Sequence, residues 1–270
     1  MALFAALLQV MMSKRTEIAL IVLLSGLPLP LSAEPDLCDH FALLDGSIPE
    51  QRRAKILLDN ANQCVKEGKS LQSIALFSEL IGLQPDNLDA YLNRGGAYLQ
   101  ANKFELGVRD YSHVIRQKPD AMEAWYNRGT AFLFAGHYDQ AIADLSEAIR
   151  LKPETARAYC NRALAYLEKR DYDSALTDLS SGIEKDSDLP FCYYVRGDLY
   201  VRKQAYKESI EDLTQSLRLK PDNAAGLVLR GQAYEHLDER DKALEDFRAA
   251  VAIEPKLKGA QEGVQRLTPP

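Results

Sequence analysis

Charged side chains of opposite sign recur along this chain at one interval. Arg94, Arg128, Arg162, Arg196 and Arg230 stand 34 residues apart, and each is followed 16 residues later by an aspartate: Asp110, Asp144, Asp178, Asp212 and Asp246. Two chemistries fit such a pattern. A row of guanidinium forks on one face could hold an acidic ligand, because arginine matches carboxylate and phosphate geometry. Alternatively, each aspartate pairs with an arginine of its own segment or of the following one, and the result is an internal ladder that fixes register. Five matched aspartates favour the ladder. Little else in the chain suggests catalysis. His40, His113, His137 and His236 are scattered without metal-ligand spacing, and His137 is expected in a solvated turn. No nucleophile elbow or phosphate loop is present. No catalytic, metal or cofactor-binding residue is therefore expected, and no enzyme.

The elements that would position these charges follow from the same period. Proline recurs at Pro85, Pro119, Pro153, Pro221 and Pro255, with Ser187 at the midpoint of the one double interval. Glycine recurs at Gly95, Gly129, Gly197 and Gly231, with Ala163 in the gap, and an aromatic follows three residues later at Tyr98, Phe132, Tyr166, Tyr200 and Tyr234. The stretch Met122–Thr155 shows what one period encodes. Trp125, Gly129 and Phe132 lie on one helical face, Gly136-His137 breaks the pattern, and Ala141, Leu145 and Ala148 form a second apolar face. Lys152-Pro153 ends the second helix, because proline disfavours helical geometry in the residue before it. A fixed period of this length signals a helical repeat array. Six repeats are expected, over 54–87, 88–121, 122–155, 156–189, 190–223 and 224–257. The first is divergent, with Ala61 for glycine and Cys64 for the aromatic. The fourth junction is irregular, because Ser187 replaces proline and Pro190 opens the next helix. Residues 258–270 read as a capping helix with a frayed tail.

The Trp125/Gly129/Phe132 triplet, with Tyr138, Ala141, Leu145, Ala148 and Pro153 and their counterparts, resembles the tetratricopeptide repeat family. That resemblance implies an all-α, right-handed superhelical solenoid of about six helix pairs plus a C-terminal cap. It also implies protein or peptide binding on a concave groove, and no catalysis. The groove face in such repeats lies one residue round from the packing face. Here it would be lined by Leu92, Leu99, Tyr126, Leu133, Phe134, Leu164, Leu167, Tyr194 and Val201, with Asn62, Glu168, Asp198, Arg202 and Gln232 as polar members. Some members of the family clamp a peptide's terminal carboxylate with a lysine and asparagine cluster. Leu58, Leu92 and Tyr126 stand where that lysine would be, which argues against such a clamp.

The ends and the cysteines bear on location. Lys14-Arg15, the short apolar run Ile18–Leu31 and Ser32-Ala33 have the pattern of a secretory signal over residues 1–33. The run is shorter than the roughly 20 apolar residues a spanning helix needs. Met11 or Met12 is an alternative start. Residues 34–53 form a lead-in, with Ser47-Ile-Pro-Glu50 as a capping box. An exported, periplasmic or secreted protein without membrane contact after cleavage is expected. Net charge is −6, and −7 without the first 33 residues, which argues against a nucleic-acid partner. Four cysteines in an exported chain suggest disulfides, and order along the chain gives Cys38–Cys64 and Cys160–Cys192. The second pair lies on neighbouring first helices, about 200° apart in helical phase, so the thiols can face one another. Both pairs could instead be small apolar fillers. The expected function is an exported scaffold or adaptor. The alternative is an accessory subunit held by its convex face or ends.

Overall fold

A computed structural model describes residues 48–268. The signal-like segment, the lead-in up to residue 47, Cys38 and the terminal Pro269-Pro270 lie outside the described residues. Among the described residues there are thirteen helices and no strand. Two compact units divide the chain, Met1–Ala101 and Asn102–Pro270. The first carries α1 (Glu50–Lys66), α2 (Ser70–Leu83) and α3 (Leu88–Gln100). The second carries α4 (Phe104–Gln117), α5 (Met122–Phe134), α6 (Tyr138–Leu151), α7 (Ala156–Glu168), α8 (Tyr172–Lys185), α9 (Pro190–Arg202), α10 (Tyr206–Leu219), α11 (Ala224–His236), α12 (Arg240–Ile253) and α13 (Lys258–Leu267). The division falls inside the second sequence repeat, whereas the periodicity reads 54–257 as one array.

Within the second unit the chain packs as hairpins, α5 on α6, α7 on α8, α9 on α10 and α11 on α12, and each hairpin packs on the next. The periodic glycine explains how closely the two helices of a pair approach. A Cβ on Gly129 would lie 2.8 Å from Leu145 Cγ and 3.2 Å from the Leu145 backbone nitrogen. Leu145 is itself fully buried, a contribution of about 1.5–3 kcal/mol for a side chain of its size. The tryptophan of the motif does more than pack, since its indole N–H donates to the Pro119 carbonyl at 2.8 Å. The proline thus stops one helix and anchors the next.

Six turns between successive helices share one backbone geometry. Gly68, Asn102, Gly136, Arg170, Gln204 and Asp238 all have left-handed backbone geometry, with φ between 55° and 80°. In the second unit the next N–H reaches back five residues to close the helix end: His137 to Phe132 at 2.8 Å, Asp171 to Tyr166 at 2.9 Å and Ala205 to Tyr200 at 2.9 Å. Only two of the six positions are glycine, so four turns hold an ordinary side chain in a conformation that disfavours it.

One expected local device is corrected. The capping box at Ser47-Ile-Pro-Glu50 is replaced by Pro49 as the N-cap, with no side-chain cap bond. Pro49 fixes φ at −54°, which leads directly into helix, while Ser47 lies outside the described residues. The capping helix is present as Lys258–Leu267, and Ala260, Gly263 and Leu267 are buried on its inner side.

Candidate functional site

The arginines and aspartates settle first. Arg128 donates to Asp144 at 2.6 and 2.9 Å, Arg162 to Asp178 at 2.7 and 2.8 Å, Arg196 to Asp212 at 2.6 and 2.7 Å, and Arg230 to Asp246 at 2.8 and 2.7 Å. Each is a two-pronged pair within one repeat, and the four aspartates are buried. For Arg162, Arg196 and Arg230 the bond to the aspartate holds the guanidinium proton more tightly than usual, against the opposing effect of burial. Arg94 sits on α3 in the first unit, and Asp110 is buried on α4 in the second.

A further column completes the ladder, and sequence reading missed it. One guanidinium nitrogen reaches back to a hydroxyl on the preceding repeat: Arg94 to Ser78 at 3.0 Å, Arg128 to Ser112 at 2.9 Å, Arg162 to Ser146 at 2.8 Å and Arg230 to Thr214 at 3.1 Å. Each of these arginines therefore clamps two successive repeats together. In Arg128, Arg162 and Arg230 all three guanidinium nitrogens are engaged, so each is a strut with little left to offer an acidic ligand.

The face proposed as a groove divides into residues that present surface and residues that do not. Leu133 and Leu167 are corrected: they are 5% and 0% exposed and belong to the cores around Ala141–Leu145 and Cys160–Leu179. One helical step is about 100°, so the neighbours Phe134 and Glu168 face outward in their place. Phe134 is 59% exposed, one of the few large apolar side chains so placed. Its ring stacks on Phe104 at 6.0 Å between centroids. Tyr126, Leu164, Tyr194 and Val201 are half-buried in the second unit, and Leu92 and Leu99 are half-buried in the first. Tyr126, Thr130 and Phe134 follow at i, i+4 and i+8 along α5, which places them on one face. Asn161, another residue the sequence reading passed over, ties that face to α7 by donating to Tyr126 Oη at 3.2 Å and Thr130 Oγ1 at 3.0 Å. Its signal was available, because Asn93, Asn127 and Asn161 form a column at the same period.

Arg202 is exposed but engaged, with Glu168 at 2.8 Å and Asp198 at 3.0 Å. Burial and the Asp198 carboxylate push the Tyr194 hydroxyl above its usual pKa, so it stays a neutral donor. The face is thus apolar and aromatic with internally balanced charge, suited to apolar anchors more than to a charged ligand. Among the described residues no group of three His, Cys, Asp or Glu is placed to hold a metal, and no helix is long and apolar enough to cross a membrane. Cys160 and Cys192 are joined as a disulfide between α7 and α9, with Cα atoms 5.3 Å apart. The Cys38–Cys64 pairing involves a residue outside those described.

A tetratricopeptide repeat model matches residues 58–121, 97–133, 126–190 and 194–257. No curated protein matches the chain. Solved structures do. A tetratricopeptide repeat protein from Parabacteroides merdae is 20% identical, covering 80% of this chain and 84% of its own, with a TM-score of 0.67. PilF from Pseudomonas aeruginosa is 16% identical, covering 80% of this chain and 99% of its own, with a TM-score of 0.66. YrrB, described as a TPR protein with an unusual peptide-binding site, is 18% identical over 70% of this chain and 97% of its own, with a TM-score of 0.51. These likenesses extend the fold, and the family-model match spans most of the helical region, so this chain belongs to the tetratricopeptide repeat family.

Proposed function

We propose that this protein is an exported scaffold or adaptor that holds a protein or peptide partner on the face formed by the first helices of the repeats in its second unit. Tetratricopeptide repeat proteins bind protein or peptide partners and are generally non-catalytic. The observation that carries the finer reading is Phe134, a phenylalanine more than half exposed, in line with Tyr126 and Thr130 on α5. A phenylalanine left more than half exposed costs solubility, and exposed apolar patches mark interaction sites. The engaged state of Arg202 favours a partner that docks by apolar or aromatic side chains with polar groups at the margin. Export rests on the pattern of residues 1–33 and on a disulfide in the array, which persists in oxidising compartments.

The test uses Phe134→Ala, Tyr194→Ala and Tyr126→Ala on the full chain. Loss of co-purification of a defined partner, with the unfolding transition unchanged, supports the reading. Unchanged capture sinks it and favours an accessory subunit held by the opposite face or the ends. Export is checked separately by the mass of the mature chain, which should begin at Glu34. A cytoplasmic chain retaining residues 1–33 would contradict it.

A further inference from the structure

The contact between the α7–α8 and α9–α10 hairpins departs from its counterparts in several ways at once. Ser187 stands where the other repeats carry proline. α8 packs less closely on α9 than the equivalent helices do elsewhere. Ser180 belongs to the hydroxyl column of Ser78, Ser112, Ser146 and Thr214, and like Ser78 and Ser146 it donates to the carbonyl four residues back, Leu176 at 2.9 Å; unlike them it receives no arginine bond among the described residues. Among the described residues, Arg196 bonds Asp212 alone. The clamp that crosses the other contacts is therefore missing at this one.

The Cys160–Cys192 disulfide crosses this same contact. A third position has changed with it. Gly182 of α8 stands where Ala148 and Ala250 stand in other repeats, at intervals of 34 and 68 residues. A Cβ on Gly182 would lie 2.5 Å from Cys160 Sγ, 3.3 Å from the Ala156 carbonyl oxygen and 3.6 Å from Cys192 Sγ. Helix interiors prefer alanine to glycine, so the glycine is explained by the sulfur it accommodates. Both cysteines are fully buried. Cys160, Cys192 and Gly182 form one built seat.

We propose that this disulfide replaces the missing arginine–hydroxyl clamp, making the cohesion of the second unit at α8 and α9 conditional on thiol oxidation. The bond forms by two exchanges. One cysteine thiolate attacks an oxidising disulfide such as glutathione disulfide, giving a mixed disulfide and releasing one thiol. The second cysteine then displaces the second thiol and closes Cys160–Cys192. Two electrons and two protons pass to the oxidant, which leaves as two thiols. Because both sulfurs are buried, exchange needs the contact to open, so the bond is set during folding and is slow to reduce afterwards. In a repeat array each hairpin relies on its neighbours, and the weakest contact sets where the stack parts.

Hydrogen exchange on the full chain tests this, comparing protein folded with glutathione disulfide, protein folded in dithiothreitol, and a Cys160→Ala/Cys192→Ala variant. Amide protection in α8 and α9 should fall roughly tenfold or more without the bond, and by more than in α5, α6, α11 or α12. Equal loss everywhere, or no loss, overturns the proposal. Gly182→Ala supplies the second arm. With both cysteines present it should leave Cys160 and Cys192 open to thiol labelling after folding with the glutathione couple. In the Cys160→Ala/Cys192→Ala background it should raise the melting temperature or leave it unchanged. A Gly182→Ala protein that closes the bond as completely as the parent contradicts the proposal.

Discussion

Asp178 offers the sharpest perturbation of the ladder. Its carboxylate accepts two hydrogen bonds from Arg162, at 2.7 and 2.8 Å, and its side chain is only 7% exposed, against 18% for Arg162. Asp178→Ala removes both acceptors and strands a buried guanidinium. Breaking a buried pair by deleting one partner costs about 3–5 kcal/mol. The low end, about 3 kcal/mol, applies here, because Arg162 keeps its bond to Ser146 at 2.8 Å and its place near the Tyr159 ring. Replacing both partners with apolar residues of similar size, Arg162→Met with Asp178→Leu, should come within about 1 kcal/mol of the parent, since the desolvation of two charges disappears with their attraction. Urea denaturation followed by circular dichroism gives the comparison, and hydrogen exchange in α7 and α8 localises it, because repeat arrays need not unfold in one step. A single variant within about 0.5 kcal/mol of the parent, or a double variant as unstable as the single, would refute the strut. Gained affinity for an acidic peptide in Asp178→Ala, without loss of stability, would revive the arginines as a ligand row.

Other expectations follow from particular contacts. Tyr111 is fully buried, its hydroxyl has no hydrogen-bond partner among the described residues, and burial, then Asp110, pushes its pKa upward. Phe77 and Phe247 occupy the same repeat position, so Tyr111→Phe should fit and stabilise by about 1 kcal/mol; a lower melting temperature would show that the hydroxyl is satisfied. Gln204 holds φ at 60°, and Gln204→Gly should stabilise by about 1 kcal/mol in urea titration, with destabilisation counting against the strain. Arg266 hydrogen-bonds Glu235 at 2.7 Å through both nitrogens and holds that carboxyl below its usual range, against burial and with further help from the Arg266 charge. A depressed carboxyl stabilises the folded state above the ordinary carboxylate pKa and loses that effect as pH falls through the lowered value. Both side chains are partly exposed, so the contribution is below about 1 kcal/mol. Carbon-detected titration should place Glu235 below the exposed glutamates, and Arg266→Gln should return it to their range.

The helix pairs were legible because several columns agree on one period, and Arg–Asp pairing followed from a constant offset of 16 residues. The hydroxyl column was equally regular but silent. Serine and threonine are common on exposed helical faces, and Ser146 acquires its role only when Arg162 of the next repeat is placed against it. The turn residue was hidden differently: its backbone geometry is constant, but glycine, asparagine, arginine, glutamine and aspartate all fill it. Leu133 and Leu167 were misplaced because adjacent helical positions differ by about 100°, and hydrophobicity does not say which of two neighbours the next helix covers. Phe134, exposed beside buried Leu133, shows how narrow that margin is. Gly182 reads as a mild irregularity until the two sulfurs beside it are seen.

The central claim is that a partner occupies the first-helix face of the second unit. Site-specific photocrosslinking tests it most directly, with a benzophenone side chain at Phe134 in one protein and at Arg150, an exposed residue of the second helix α6, in another. The account predicts that one defined partner crosslinks from position 134 and not from 150, and that Tyr194→Ala abolishes the crosslink. A crosslink to that partner from 150 with none from 134 would contradict it.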